Sequence, residues 1–199
     1  MAKDAWTFIF PLALAMVIAS FWSTLLSAFF LLLILFVVYF FRNPERHPPD
    51  DPDAIVSPAD GKIVLIEPSG EFQRVSIFLS PFDVHVNRAP IAGRMTRADY
   101  RKGKFLVASN HRASVENEQC ILTVNDGRRE LTFALIAGIL ARRIILWKKK
   151  DDEVLMGERV ALIRFGSRSD IYVPPSAQLL VKKGDRVRAG ETVVARFTT

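Results

Sequence analysis

The chain has 199 residues, one cysteine and a formal charge of +6 at neutral pH, a length that fits one domain plus an appendage. Cys120 alone excludes an intramolecular disulfide framework. Three scattered histidines with that cysteine make no metal set, and the lack of an aromatic-basic signature sets nucleic acid aside as a partner.

From Ala5 to Phe41 there is no charged residue, whereas the remainder is dense in Arg, Lys, Asp and Glu. One upright helix of that length would be about 55 Å long, against a hydrocarbon core of about 30 Å. Two arms joined near Ser20-Phe21-Trp22-Ser23 fit better, with Trp6, Trp22 and Tyr39 marking one interface, the turn, and the first interface again. Lys3 at one end and Arg42 and Arg46 at the other then share a side, which the positive-inside rule makes cytoplasmic. A hairpin that re-enters or lies along the interface stays open. Residues 1–42 are thus expected to be a hydrophobic membrane anchor. The basic excess, Arg42 and Arg46 included, is expected to face anionic headgroups.

Residues 43–53, with "ERHPPDDPD", break the helical pattern and read as a linker. Beyond it, "AIVSPADGKIVLIEP" gives two apolar runs around Asp60-Gly61, a hairpin signal. "QRVSIFLS", "QCILTVNDGRRELTFALIAG", "RVALIRFG" and "DIYVPP" read as further strands, with a turn at Asn125-Asp126-Gly127. One or two short helices are expected around residues 95–117. The run Lys148-Lys149-Lys150, followed by Asp151-Asp152-Glu153, reads as a solvated loop. At the C-terminus, Val181 to Gly190 carries the V-x-x-G-D-x-V-x-x-G spacing of lipoyl- and biotinyl-like hairpins. No carrier lysine tripeptide accompanies it, so a carrier role is not expected. The predicted class is all-β, or β-rich α+β: a sandwich or barrel over 54–199.

Three clusters could hold chemistry. "SPADG", Ser57 to Gly61, read alone, is a turn. "LSPFDVHVNRAP", Leu79 to Pro90, puts His85 where a strand meets a proline-bounded loop, a reasonable place for an acid or base. Gly166-Ser167 interrupts strand material, and read alone is a flexible turn. No G-x-S-x-G elbow, Walker loop or dinucleotide glycine pattern is present.

Read together and in order, "FFRNPER", "SPADGKI", "LSPFDVHVNRAP", "ENE" at 116–118, "AGILARRI" at 137–144 and "FGS" at 165–167 resemble the short, membrane-associated form of phosphatidylserine decarboxylase, a pyruvoyl-dependent enzyme made as a proenzyme. The likeness runs from about Arg42 to the C-terminus. It implies that the chain cuts itself between Gly166 and Ser167, that Ser167 becomes a covalent pyruvoyl group, and that the large and small chains stay associated. It further implies that His85 acts in decarboxylation and that Asp60 is the family's aspartate, while Arg142 and Arg143 are candidates for the lipid phosphate. Longer bacterial relatives carry "DYHRVHMP", whose second histidine is the base for self-cleavage. Here Arg88 stands at that position, and a guanidinium is a poor base at neutral pH, so either His85 serves both steps or strain and local hydrogen bonds drive the cut. The implied reaction makes phosphatidylethanolamine and CO2 at the membrane. Nothing in the sequence excludes a homo-oligomer. Two other readings are an enzyme acting on an ether-lipid serine headgroup, and a non-catalytic membrane adaptor with a lipoyl-like β domain.

Overall fold

The computed structural model describes residues 2–103, 117–138, 143–164 and 167–198. The chain divides into two compact units, Met1–Glu45 and Arg46–Thr199.

The first unit is a helical pair, α1 (Trp6–Ser20) and α2 (Thr24–Phe40). The break falls at the expected place. Ser23, with extended backbone, caps α2 by accepting from the Leu26 N–H at 3.3 Å. The two ends of the hairpin meet, since Ala2 N–H donates to the Phe41 carbonyl at 2.9 Å and the Phe8 and Phe41 rings stack at 5.6 Å. Phe10, Leu14, Leu25 and Leu32 are exposed along these helices, a surface that suits lipid better than water. Lys3–Ser20 is long and apolar enough to cross a membrane.

The second unit is β-rich. Its strands are β1 (Ala54–Val56), β2 (Gly61–Ser69), β3 (Phe72–Leu79), β4 (Val86–Arg88), β5 (Gly93–Arg101), β6 (Gln119–Asn125) and β7 (Glu130–Ala137). They continue as β8 (Ile144–Leu146), β9 (Glu153–Val154), β10 (Arg159–Ile163), β11 (Ser167–Val173), β12 (Ala177–Leu179), β13 (Arg186–Val187) and β14 (Val193–Phe197). One eight-stranded sheet has the order β13-β2-β3-β11-β7-β6-β5-β9, and two three-stranded sheets have the orders β1-β14-β12 and β4-β10-β8. Alternation decides the faces. Val75, Ile77 and Leu79 of β3, Ile171 and Val173 of β11, Phe133 and Leu135 of β7 and Cys120 and Leu122 of β6 point into one core with Ile55, Val160, Ile163 and Val194 of the smaller sheets.

Two expectations are corrected. The runs flanking Asp60-Gly61 do not pair as a hairpin: β1 pairs with β14, and β2 turns instead to β3 and β13. Residues 95–101 are strand rather than helix, because β5 gains seven registered partners on β6, and such pairing overrides local propensity. The rest of that stretch, 104–116, lies outside the described residues. The turn at Gly127 is as expected, with φ of +94°, and Gly184 within the V-x-x-G-D-x-V-x-x-G spacing also takes a positive φ of +101°.

Gly61 shows how tightly β2 meets β3. Its φ is +153°, and a Cβ there would come within 2.2 Å of the Phe78 carbonyl oxygen. Gly61→Ala is expected to destabilise the second unit by about 3 kcal/mol. Gly70→Ala, with φ +64° and open space around it, should cost only about 1 kcal/mol. Thermal melts of the two variants test this; equal melting points would contradict the close approach.

Candidate active site

Strands β3 and β11 are neighbours in the large sheet, where Leu79 pairs with Ser167. Their chain continuations, β4 and β10, are again neighbours in a small sheet, where Val86 pairs with Leu162 and Ile163 N–H donates to the His85 carbonyl at 3.2 Å. On one strand of each pair residues 80–85, ending in His85, lead from the large sheet to the small one; on the other, β10 ends at Ile163 and β11 opens at Ser167. Gly166 lies outside the described residues.

Ser167 is fully buried and opens β11, held by Leu79 on one side and Ala137 on the other. Its Oγ has no hydrogen-bond partner among the described residues, an unusual state for a buried hydroxyl. Beyond Ala137 the row continues into β6. Ala137 N–H donates to the Glu118 carbonyl at 2.9 Å, and Asn117 Nδ2 donates to the Ala137 carbonyl at 2.7 Å.

His85 is also fully buried. Its Nδ1 lies 2.9 Å from the Asp83 carbonyl oxygen. A carbonyl only accepts, so Nδ1 carries the hydrogen and the lone pair of the neutral ring sits on Nε2. The His85 carbonyl also accepts from Asn87 Nδ2 at 3.1 Å. The loop before it is organised by Asp83, whose carboxylate accepts from Ser80 N–H at 2.8 Å, Ser80 Oγ at 2.6 Å and Arg186 at 2.8 Å. Burial opposes ionisation of Asp83, but the Ser80 hydroxyl, Arg186 and the Ser80 N–H outweigh it and hold the carboxyl below the usual range.

Asp60 is occupied by other partners than a histidine. Arg46 donates to both its oxygens, at 3.0 and 2.7 Å, and Ala189 N–H donates to Oδ1 at 2.8 Å. Burial pushes this carboxyl up despite those donors. The same guanidinium reaches Glu191 at 3.0 Å. Arg46 is therefore an internal ion-pair centre with little exposure, which corrects its expected place against lipid headgroups. Its partners lie 14 and 145 residues away, too far for any local pattern to reveal. Around Asp60 the "SPADG" turn is tied down by Ser57 Oγ donating to the Ala59 carbonyl at 2.7 Å, Arg88 N–H to Pro58 at 2.9 Å and Gly190 N–H to Ser57 at 2.9 Å.

Arg88 donates from Nη1 to the Gly157 carbonyl at 2.7 Å. Burial, with Arg159 and Arg46 nearby, lowers its pKa to about 10, so it stays charged at neutral pH and cannot take a proton. Arg143 is exposed, and Arg142 lies outside the described residues. Of the residues named from sequence, Ser167 and His85 come to one end of the sheets through the double crossing. Asp60 stands at the head of β2, next to β3.

A family model described as phosphatidylserine decarboxylase matches residues 33–195. Relatives named phosphatidylserine decarboxylase proenzyme include one from Desulfotalea psychrophila, 47% identical over 165 residues, covering 78% of this chain and 77% of the relative. One from Solibacter usitatus is 48% identical over 155 residues, covering 78% and 76%. One from Symbiobacterium thermophilum is 42% identical over 204 residues, covering 98% and 95%.

Asp83 gives the site a readable acid dependence. Its carboxyl is held low in the folded state, so its contribution is complete above the ordinary carboxylate value of about 4 and is lost as pH falls through the lower folded value. Asp83→Asn is expected to cost about 1–3 kcal/mol at pH 7. Its melting point should converge on that of the unsubstituted chain as the pH drops below about 4. A gap that stays constant from pH 7 to pH 2 would remove Asp83 from this role.

Proposed function

This chain belongs to the phosphatidylserine decarboxylase family, and we propose that it is a proenzyme that cuts itself between Gly166 and Ser167, then converts phosphatidylserine to phosphatidylethanolamine and CO2. The observation that carries this reading is the double crossing, with Leu79 paired to Ser167 at one end and His85 bonded to Ile163 at the other.

In this reading Ser167 Oγ gives its proton to His85 Nε2 and adds to the Gly166 carbonyl. The C–N bond breaks as the proton passes to the departing nitrogen, leaving an ester between the two residues. Loss of the Ser167 α-proton then expels the Gly166 carboxylate. The unsaturated residue at 167 takes up water and releases ammonia, leaving a pyruvoyl group. Ser167 Oγ is buried and held by no other partner among the described residues, and His85 Nε2 must come within hydrogen-bond reach of it for the proton to pass. Once formed, the group supplies a ketone electron sink for the charge left when CO2 departs. His85 returns the proton to the substrate carbon from Nε2, so a single histidine serves both steps. Arg88 is tied to Gly157 and remains a cation, and Asp60 holds the "SPADG" turn through Arg46.

The proposed organisation is an anchor over 1–42, a connector over 43–53 and a catalytic domain over 54–199. The catalytic domain is assigned to the cytoplasmic side, with Lys3 and Arg42 at the two hairpin ends in support. The exposed Arg143 with Arg142 is assigned to the lipid phosphate. Residues 167–199 supply β11 to the centre of the large sheet, β13 to its edge, and β12 and β14 to the sheet of β1, which accounts for two cleaved chains staying together.

Purified protein should run as fragments of 166 and 33 residues, the smaller with a blocked, ketone-reactive N-terminus, and should release CO2 from phosphatidylserine. Ser167→Ala should leave one intact chain without activity. His85→Ala should lose both cleavage and decarboxylation by at least about 100-fold. A folded, unsubstituted chain that never cleaves would overturn the reading.

A further inference from the structure

Glu118 is 7% exposed, and its Oε1 is buried with no hydrogen-bond partner among the described residues. Its place in the sheet is set by register. Gln119 pairs with Ile136, so Glu118 stands opposite Ala137, and Ala137 stands opposite Ser167. Residues directly opposite one another across a sheet point to the same face. Leu79, Ala137 and Cys120 all point into the core, so Ser167, Ala137 and Glu118 form one row on that face. The outer two are two strand spacings apart, roughly 10 Å, with Ala137 between them in the row. A buried carboxylate that turns one oxygen to no partner, on the same face of the sheet as the reacting residue, is a built place for a small cation.

We propose that Glu118 is the carboxylate that receives the ammonium group of the substrate's amino headgroup beside position 167. This inference rests on the decarboxylase reading and adds a residue to its site. Glu118 accepts one proton from the ammonium, leaving a neutral amine whose lone pair faces position 167. Its surroundings leave that task to the carboxylate. Tyr100 on β5 is directed at Glu118, and burial together with that contact pushes its phenol up to about 12. Burial likewise pushes the Cys120 thiol up to about 12. Neither takes part in proton exchange near neutral pH. Arg143 is the cation near Tyr100.

Calorimetric titration with glycerophosphoserine and with glycerophosphate tests the site without turnover, in a Ser167→Ala background that neither cleaves nor reacts. Adding Glu118→Gln should weaken glycerophosphoserine binding by about tenfold or more while leaving glycerophosphate unchanged, because only the amine is lost as a contact. In the cleaved enzyme, adduct formation with glycerophosphoserine can be trapped with cyanoborohydride and followed as a mass increase on the 33-residue chain. For Glu118→Gln that rate should climb about tenfold per pH unit toward the pKa of the amine, whereas the unsubstituted enzyme should be much flatter near neutrality. Glu118→Asp, which keeps the charge but draws it back, should fall between them, and carries the test if the glutamine variant does not fold. Equal glycerophosphoserine affinity and an unchanged pH profile in both variants would overturn the proposal while leaving the decarboxylase reading intact. Failure of the unsubstituted chain to cleave or release CO2 would overturn the reading itself.

Discussion

The site depends on two strands that stay partners while both change sheet. β3 and β11 pair in the eight-stranded sheet, and their continuations β4 and β10 pair again in the three-stranded one. The ladder is thus fixed on both sides of the change of sheet. A buried serine opens one of these strands, and a buried histidine precedes the continuation of the other. Neither could be moved without breaking backbone hydrogen bonds on two sheets.

Ion pairs then decide which groups are left to act. Asp60 spends its acceptor capacity on Arg46 and Ala189, and Asp83 on Ser80 and Arg186. Arg88 donates a hydrogen bond to the Gly157 carbonyl. These are holding interactions, and they leave His85 with its hydrogen fixed on Nδ1 by a backbone carbonyl. The Arg168–Asp170 pair, fully buried on β11 just after Ser167 with contacts of 2.8 Å, continues the theme on the opposite face of that strand. A charge buried without its partner would be far more costly than the pair itself.

Much of this was legible in the residues. Alternating apolar runs marked the strands, glycine turns marked Gly127 and Gly184, and the order of the short motifs pointed to Ser167, His85 and Asp60. What escaped was set by long-range pairing. The Asp60-Gly61 turn looked like a hairpin because the two apolar runs flank it, yet β1 found its partner in β14 at the far end of the chain. Residues 95–101 read as helix until β6 offered them a full ladder. Arg46 looked like a headgroup contact because it follows an apolar segment, and only the fold brings Asp60 and Glu191 to it. Glu118 lies in the "ENE" motif, but its place opposite Ala137 in the sheet is something no spacing in the chain encodes.

The threading of residues 167–199 through two sheets has a further consequence for durability. The proposed break before Ser167 would remove no strand pairing among the described residues, so the folded state could survive it almost unaltered. The unfolded state changes far more. It becomes two separate molecules, and regaining the fold requires a long chain and a short one to find each other, at a rate that falls with dilution. Before the cut, stability is an equilibrium property of one chain. After such a cut the folded protein would persist through the slowness of unfolding rather than by ready refolding.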